Sequence, residues 1–433
     1  MPRPSKSARV TRRSALPTAI SSLLGLTFAS GLALAQSASE IEFKQCVGNL
    51  QAKAVEQGIS KQVVDDVLGQ VRYQEKVIEL DSKQPEFTQT FADYFGRRVT
   101  EDRVEKGREM LKEHRDILKR VERETGVPAH YLVAFWGLET NFGSYFGNMP
   151  IPASLTTLAC DPRRSAYFTE ELFAALKIID AGDVQADNMQ GSWAGAMGHV
   201  QFMPSVFLRH AVDADGDGRR DLWGSVPDAM ASAGNFLKAL GWVPGLRWGR
   251  EVQLPDVFSY SLAGRDESYP VSEWKEFGVK DAFGRPLPNA DVEASLLVPS
   301  GHRGPAFLVY QNFEIIMRWN RSEFYALAVG RLADRIAGAG PLQTPLPENE
   351  LQLTRDKVRS MQSYLNMLGF EAGEADGVMG PATRKALSRF QRAEDMVADG
   401  YPTQEVLDAM DFDQIQRVQQ DQQERAQRKQ AKD

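Results

Sequence analysis

Glu139 is the only carboxylate in the run Ala129 to Phe142, and it sits close to the end of an otherwise apolar stretch. Tyr131, Leu132, Val133, Ala134, Phe135, Trp136 and Leu138 leave no polar face, so a helix here must be buried. A carboxylate near the C-terminal end of such a helix loses hydration and meets the negative end of the dipole. Both effects raise its pKa. A carboxylic acid still neutral near pH 7 is what protonation of a glycosidic oxygen requires. A structural glutamate, paired with a buried arginine or capping a loop, fits the same spacing, and spacing alone leaves both readings open.

Two further blocks carry groups suited to a polar ligand. Gly191-Ser192-Trp193-Ala194-Gly195-Ala196-Met197-Gly198-His199-Val200-Gln201-Phe202-Met203-Pro204-Ser205 is dominated by small residues, which let backbone approach a ligand closely. Ser192 and Gln201 supply short polar groups for sugar hydroxyls or N-acetyl groups, although a glycine-rich turn packed in the core would read the same way. In Arg318-Trp319-Asn320-Arg321-Ser322-Glu323-Phe324-Tyr325 an aromatic stands beside an amide before a helix. That suits sugar stacking and hydrogen bonding, and equally suits Trp319 and Tyr325 as core residues.

Asp213-Ala214-Asp215-Gly216-Asp217-Gly218 fits the opening of an EF-hand loop. Asp213, Asp215 and Asp217 take the first, third and fifth ligand positions, and the Arg219 carbonyl the seventh. Asp221 stands at the ninth. The twelfth is Gly224 rather than glutamate, and Asp228 is the nearest substitute. The expected ion is structural Ca²⁺, with a merely acidic turn as the alternative. No organic cofactor is expected.

The elements that position these residues follow from periodicity. Val104, Leu111, Leu118 and Val121 recur at near-heptad spacing and predict one long amphipathic helix within a helical region spanning 36 to about 125. Gly126 is placed to end it, and Pro128 can open the apolar helix at its first turn. Further helices are expected near Glu170–Ile179, Asp228–Leu240 and Ser322–Ala337. Leu296-Leu297-Val298 and Phe307-Leu308-Val309-Tyr310 are short apolar runs flanked by Gly and Pro, consistent with a small sheet or hairpin. Residues 341–350 continue a Gly- and Pro-rich stretch without apolar period and read as a linker, across which few contacts should run. A unit at 351–411 follows, then a polar tail at 412–433.

The chain has 433 residues and a net charge of −7, which argues against a polyanion such as nucleic acid as the main partner. Residues 1–35 read as a signal peptide: Arg9, Arg12 and Arg13 precede an apolar stretch, and Ala33-Leu34-Ala35 forms a small-x-small cleavage site. No cysteine stands there to carry a lipid, and twin-arginine and general export are both open. The expectation is a soluble periplasmic protein. Cys46 and Cys160, the only two cysteines, could pair in that compartment or remain separate thiols.

The Glu139 block, the Ser192–Ser205 block, the aspartate loop and the Trp319–Tyr325 block stand in the order found in the membrane-bound lytic transglycosylase B family, which residues 40–335 resemble. The resemblance implies a mainly α (α+β) fold, with a lysozyme-like catalytic domain at 36–340 holding a small β element. It implies Glu139 as the single acid/base, and Tyr94, Ser192, Gln201, Trp319, Asn320 and Tyr325 as cleft residues. Trp319 departs from the family, where a tyrosine is common; stacking would survive and a hydroxyl is lost. The implied activity is cleavage of peptidoglycan glycan strands with release of a 1,6-anhydro sugar, with a lysozyme-like hydrolase or a non-catalytic wall-binding scaffold as alternatives. The implied state is a monomer, with other cell-wall enzymes as candidate partners. Residues 351–411 resemble the common peptidoglycan-binding module of three helices. Leu365, Leu368 and Phe390 are expected in its core, Asp376-Gly377 and Asp399-Gly400 turn its chain, and Pro381 starts a helix.

Overall fold

The computed structural model describes residues 27–82, 89–410 and 412, with side chains described from residue 40 onward. The charged start of the expected signal peptide, the side chains at its cleavage site and residues 413–433 of the polar tail lie outside the described residues. The first part is helical: α1 (Thr27–Glu56), α2 (Lys61–Leu68), α3 (Glu75–Ser82), α4 (Phe91–Arg98), α5 (Glu101–Glu113), α6 (Arg115–Thr125) and α7 (Ala129–Thr140). Side-chain oxygens of Ser60, Thr90 and Thr100 accept backbone N–H groups at the starts of α2, α4 and α5, satisfying donors that a helix leaves open.

The long helix expected over 104–121 is two helices. The chain breaks at His114, whose φ of −99° and ψ of 24° lie outside the helical range. Its imidazole packs edge-on against Trp136, with ring centroids 5.4 Å apart. Val104, Leu118 and Val121 are fully buried on both sides of the break, so the apolar stripe survives it. Gly126 ends α6 in the left-handed region at φ 75°, as expected of a C-terminal cap. Pro128 stands one position earlier than expected, as the extended cap before α7.

After α7 come β1 (Met149–Pro150), α8 (Ile151–Ala159), α9 (Ser165–Asp180), β2 (Gln190–Gly191), α10 (Pro204–His210) and α11 (Val226–Leu240). β1 and β2 pair antiparallel. A disulfide joins Cys46 of α1 to Cys160 at the end of α8. α7 lies among α5, α6, α11 and a later helix, which is why its sequence has no polar face.

β3 (Gly249–Gln253), β4 (Gly264–Pro270), α12 (Val271–Glu276), β5 (Lys280–Asp281), β6 (Glu293–Leu297) and β7 (Ala306–Val309) follow. The five strands form one antiparallel sheet in the order β4-β6-β7-β3-β5, the small sheet rather than the lone hairpin of the two expected forms. Both faces of β7 are covered: Phe307 and Val309 join the main core, while Ala306 and Leu308 join a second core around Trp274. That is why its sequence is continuously apolar rather than alternating. Helices α13 (Gln311–Trp319) and α14 (Glu323–Ile336) close the main core.

The last unit has its own core of Val358, Met361, Leu365, Leu387, Phe390 and Val406, built by α15 (Arg355–Met367), α16 (Pro381–Ala393) and α17 (Gln404–Asp408). Leu368, expected in this core, is 43% exposed because it follows the last turn of α15. Two buried glutamines clamp the Asp-Gly turns. Gln362 accepts from Gly377 N at 2.8 Å and donates to Asp376 at 2.9 Å, and Gln391 does the same with Gly400 and Asp399 at 2.7 and 3.1 Å.

The stretch before this unit lacks helix and strand but is not contact-free. Glu251 accepts the backbone N–H groups of Gln343 and Thr344, and Arg331 donates to Gly340 O. Across the junction, Lys385 pairs with Asp266, and His302 contacts Asp399 at 2.6 Å. The expectation that few contacts cross the linker is therefore corrected: polar groups of both bodies pair along it. Among the described residues no helix is long and apolar enough to cross a membrane.

Candidate active site

The helix α7 delivers Glu139 one residue before its end, and the chain then reverses. Asn141, Phe142 and Gly143 all have positive φ, at 48°, 60° and 76°. For a phenylalanine this is a strained conformation. It folds Phe142 back over the helix, where a Cβ on Gly137 would meet its ring at 2.7 Å. Glycine in the middle of an apolar helix is thus explained by the ring that lies on it. A Cβ on Gly143 would likewise meet the His199 imidazole at 2.3 Å.

Glu139 is partly exposed, and its Oε1 accepts two hydrogen bonds, from Trp319 Nε1 at 2.9 Å and from the Tyr325 hydroxyl at 2.5 Å. Both donors meet the same oxygen, so Oε2 is the one left for a ligand. Burial of the carboxyl pushes its pKa from 4.5 up to about 7, although the bonds from Tyr325 and Trp319 and the charge of Arg98 oppose the shift. Desolvation outweighs all three, which leaves the group near half-protonated at neutral pH. Tyr325 is itself buried, and burial together with the Glu139 charge pushes its pKa well above the usual phenol value, so it stays a donor.

Trp319, expected as a stacking platform or a core residue, packs among aromatic rings and reaches the Glu139 carboxyl. Its indole packs against Phe135, Phe236 and Phe202, with centroids 4.5, 5.2 and 5.5 Å away. Its N–H supplies a donor to the carboxyl. Tyr94 lies on α4, where burial raises its pKa and Arg98 and Glu139 act on it in opposite directions. Arg98 stands 5.5 Å from the Tyr94 ring centre. Asn320 is exposed, and its side-chain oxygen accepts Ser322 N at 3.2 Å in the turn before α14.

The small-residue block forms a loop tied to the end of α7. Thr140 Oγ1 donates to His199 O at 2.8 Å, and Trp136 Nε1 donates to His199 Nδ1 at 2.9 Å. Burial holds the His199 pKa down at about 4, so it is neutral and free to accept. Ser192 Oγ accepts Ala196 N at 2.9 Å, and Gln201 donates to Phe146 O and Gly198 O at 3.2 and 3.1 Å. The glycines here pack protein against protein: a Cβ on Gly191 would meet Ala196 O at 2.2 Å, and one on Gly198 would meet Leu222 O at 2.5 Å. Of the expected residues, Glu139, Trp319 and Tyr325 converge, with Tyr94 close by. Sequence reading missed Arg98, Thr140 and His199. Only Arg98 carried a signal, one helical turn after Tyr94.

The aspartate loop is a second constellation. Carboxylate oxygens of Asp213, Asp215 and Asp217, all exposed, lie within 4.8 Å of one another. A set of hard oxygen donors at this spacing fits Ca²⁺. Asp228, expected as the substitute for the twelfth-position ligand, is bound to the backbone of the loop. It is fully buried, with Oδ1 accepting Ala214 N and Asp215 N at 2.8 and 3.3 Å and Oδ2 accepting Asp221 N at 2.8 Å. It shapes the loop from beneath and is outside the convergent cluster. Arg219 turns its guanidinium onto Asp217 at 3.0 Å.

Comparison with known proteins places this geometry. A family model, Transglycosylase SLT domain, matches residues 42–334, and a peptidoglycan binding domain model matches residues 354–410. The membrane-bound lytic murein transglycosylase B of Escherichia coli K12 is 33% identical over 297 residues, covering 65% of this chain and 79% of its own. The crystal structure of SltB3 from Pseudomonas aeruginosa in complex with NAG-NAM-pentapeptide superposes with a TM-score of 0.82 at 44% identity, covering 84% of this chain and 98% of that one. SLT35 of E. coli, in complex with calcium, gives a TM-score of 0.58 at 32% identity over 67% of this chain and 92% of its own. The chain belongs to the lytic murein transglycosylase B family, with a peptidoglycan-binding domain following the transglycosylase domain.

Proposed function

We propose that this protein cuts the β-1,4 bond between N-acetylmuramic acid and N-acetylglucosamine in peptidoglycan, with Glu139 acting first as acid and then as base. The observation that carries the assignment is a single desolvated carboxyl with one oxygen fixed by Trp319 and Tyr325 and the other left for substrate. Most glycosidases need two carboxylates. One suffices if the substrate supplies its own nucleophile. Glu139 Oε2–H gives its proton to the leaving glycosidic oxygen as the C1–O bond breaks, and the neighbouring acetamido group supports the positive charge on C1. The resulting carboxylate takes the proton of the C6 hydroxyl, whose oxygen bonds to C1. No water is consumed, and the internal hydroxyl has the advantage of effective concentration.

The test is Glu139→Gln on purified sacculi. Release of 1,6-anhydro-muropeptides should fall by at least about 10²-fold, the usual scale of general acid catalysis, while sacculus binding persists. A variant that keeps its activity overturns the assignment. A wild-type product carrying a reducing end would instead make the enzyme a lysozyme-like hydrolase.

We further assign residues 1–35 as a signal peptide to the periplasm, where this substrate lies, residues 36–340 as the catalytic domain and residues 351–411 as the wall-binding domain. The Asp213–Asp217 loop is assigned as a structural Ca²⁺ site, supported by the converging carboxylates and by calcium in the SLT35 relative.

A further inference from the structure

The first turn of α4 is gripped from outside the catalytic core. Glu350, just before the C-terminal unit, places Oε2 3.0 Å from the backbone N–H of Ala92. Its Oε1 accepts the Tyr401 hydroxyl of that unit at 2.9 Å. Two residues on, the Gln352 amide donates to the Asp93 carboxylate. The first N–H groups of a helix have no partner within it, and a carboxylate there also gains from the dipole. Thr90 caps Asp93 N, and Glu350 takes Ala92 N, so the two divide the open donors between them. Burial and the Glu350 charge push the Tyr401 phenol up, which keeps it a donor in this bridge.

The helix held this way carries the two side chains that approach Glu139 from its side. Tyr94 and Arg98 are one turn apart and in contact, and the Arg98 charge acts on the Glu139 carboxyl. The far end of α4 is pinned separately, by Arg103 donating to Arg97 O and Arg98 O at 3.1 and 2.5 Å. Phe91 is buried against Phe307 and Phe324, with centroids 6.1 and 5.5 Å away, so α4 stays attached without Glu350.

We propose that Glu350 is a positioning residue for glycan cleavage: bridged to Tyr401, it seats α4 and so places Arg98 and Tyr94 beside Glu139. The docked C-terminal domain is then part of the active-site scaffold as well as a wall anchor. This rests on Glu139 being the acid/base. The groups facing Glu139 are Tyr325 of α14, the Trp319 indole of α13, and Tyr94 and Arg98 of α4. If α4 drifts, only the last two change. Arg98 favours the carboxylate, so its retreat lets the acid keep its proton to higher pH.

The experiment measures kcat and KM against pH on purified sacculi with the full-length protein. The variants are Glu350→Ala, Glu350→Gln, Tyr401→Phe, Arg98→Ala and the Glu350→Ala/Arg98→Ala double. Glu350→Ala and Arg98→Ala should each move the alkaline limb of kcat upward by about half a pH unit, the scale of one solvent-screened charge. The double should move it no further than either single. Glu350→Gln, whose amide oxygen still accepts from Ala92, should restore the wild-type limb, and Tyr401→Phe should give part of the shift. If Glu350→Ala does not fold, Tyr401→Phe carries the test. An unmoved limb in either single variant, or additive shifts in the double, overturns the proposal. Glu139→Gln runs alongside: if it stays active the acid assignment is wrong, whereas an inactive Glu139→Gln with an unmoved Glu350→Ala limb removes the positioning role alone.

Discussion

The Tyr325 hydroxyl donates to Glu139 Oε1 at 2.5 Å from a position buried in the core, and the same oxygen receives the Trp319 indole. The carboxyl is therefore oriented by one face and reactive at the other. Both bonds favour its charged form, against the burial that favours the neutral one.

Tyr325→Phe removes one of these bonds without opening space. The Glu139 pKa should rise further, because a group that stabilised the carboxylate is gone. The alkaline limb of activity then moves to higher pH. A hydrogen bond to a charged group contributes about 1.5–3 kcal/mol, so turnover at the optimum should fall by roughly ten- to a hundredfold, less than for Glu139→Gln. Profiles of anhydro-muropeptide release against pH check both parts.

Glu139→Gln should also stabilise the protein. The folded-state pKa is raised, so the fold gains from this group only while it is protonated. That advantage is complete below the unfolded value of 4.5 and is lost as pH rises through about 7. A rise of this size corresponds to about 3 kcal/mol at alkaline pH, a ceiling since the residue is partly exposed. Glutamine has no charge to desolvate and its amide oxygen accepts both donors. Melting temperatures of wild type and variant should coincide near pH 4 and separate by several degrees at pH 8, with the variant higher. Curves that stay parallel across that range would contradict a raised pKa.

His199 has the opposite sign. Burial lowers its folded pKa from 6.5 to about 4, so its contribution is full above 6.5 and lost as pH falls through 4. Protonation would also end the bond it accepts from Trp136. His199→Leu should flatten acid unfolding between these two values while lowering stability at pH 7, because Trp136 Nε1 loses its acceptor. Denaturant titrations at pH 4.5 and 7 give the comparison.

The apolar helix around Glu139 was legible because burial on every side erases its polar face. Its neighbours were less so. The break at His114 leaves the apolar stripe unchanged, so periodicity could not reveal it; only the Trp136 ring beside the imidazole does. Trp319 read equally as a sugar platform and as a core residue because sequence shows a side-chain type and not what covers its faces. Leu368 read as core from its type, while its place just past the end of α15 turns it outward. The linker looked free because Glu251 and Glu350, which hold it, lie within or beside segments with no periodic signal. Long-range polar contacts of this kind have no local signature.

The aspartate loop separates two roles that sequence merged. Asp217 belongs to the converging cluster, and Asp228 holds the backbone of that loop from below. With Ca²⁺ at tenfold excess over Kd, binding to the folded state alone adds about 1.4 kcal/mol, so the wild-type melting temperature should rise with Ca²⁺ and fall with chelator. Asp217→Ala should lose that response and stay folded, since an exposed carboxylate leaves no buried donor unpaired. Asp228→Ala should behave differently. It strands the N–H groups of Ala214, Asp215 and Asp221, at about 1–3 kcal/mol for each buried one, and so should lower stability by several kcal/mol even with chelator present. The loop joins the His199 segment to α11, and loss of Asp228 should therefore reduce activity as well, with recovery at low temperature. A melting series on the three proteins with Ca²⁺, Mg²⁺ and chelator distinguishes the roles. A wild-type curve indifferent to Ca²⁺ would leave Asp213, Asp215 and Asp217 as an acidic turn, and an Asp228→Ala penalty that vanished without Ca²⁺ would make Asp228 a ligand after all.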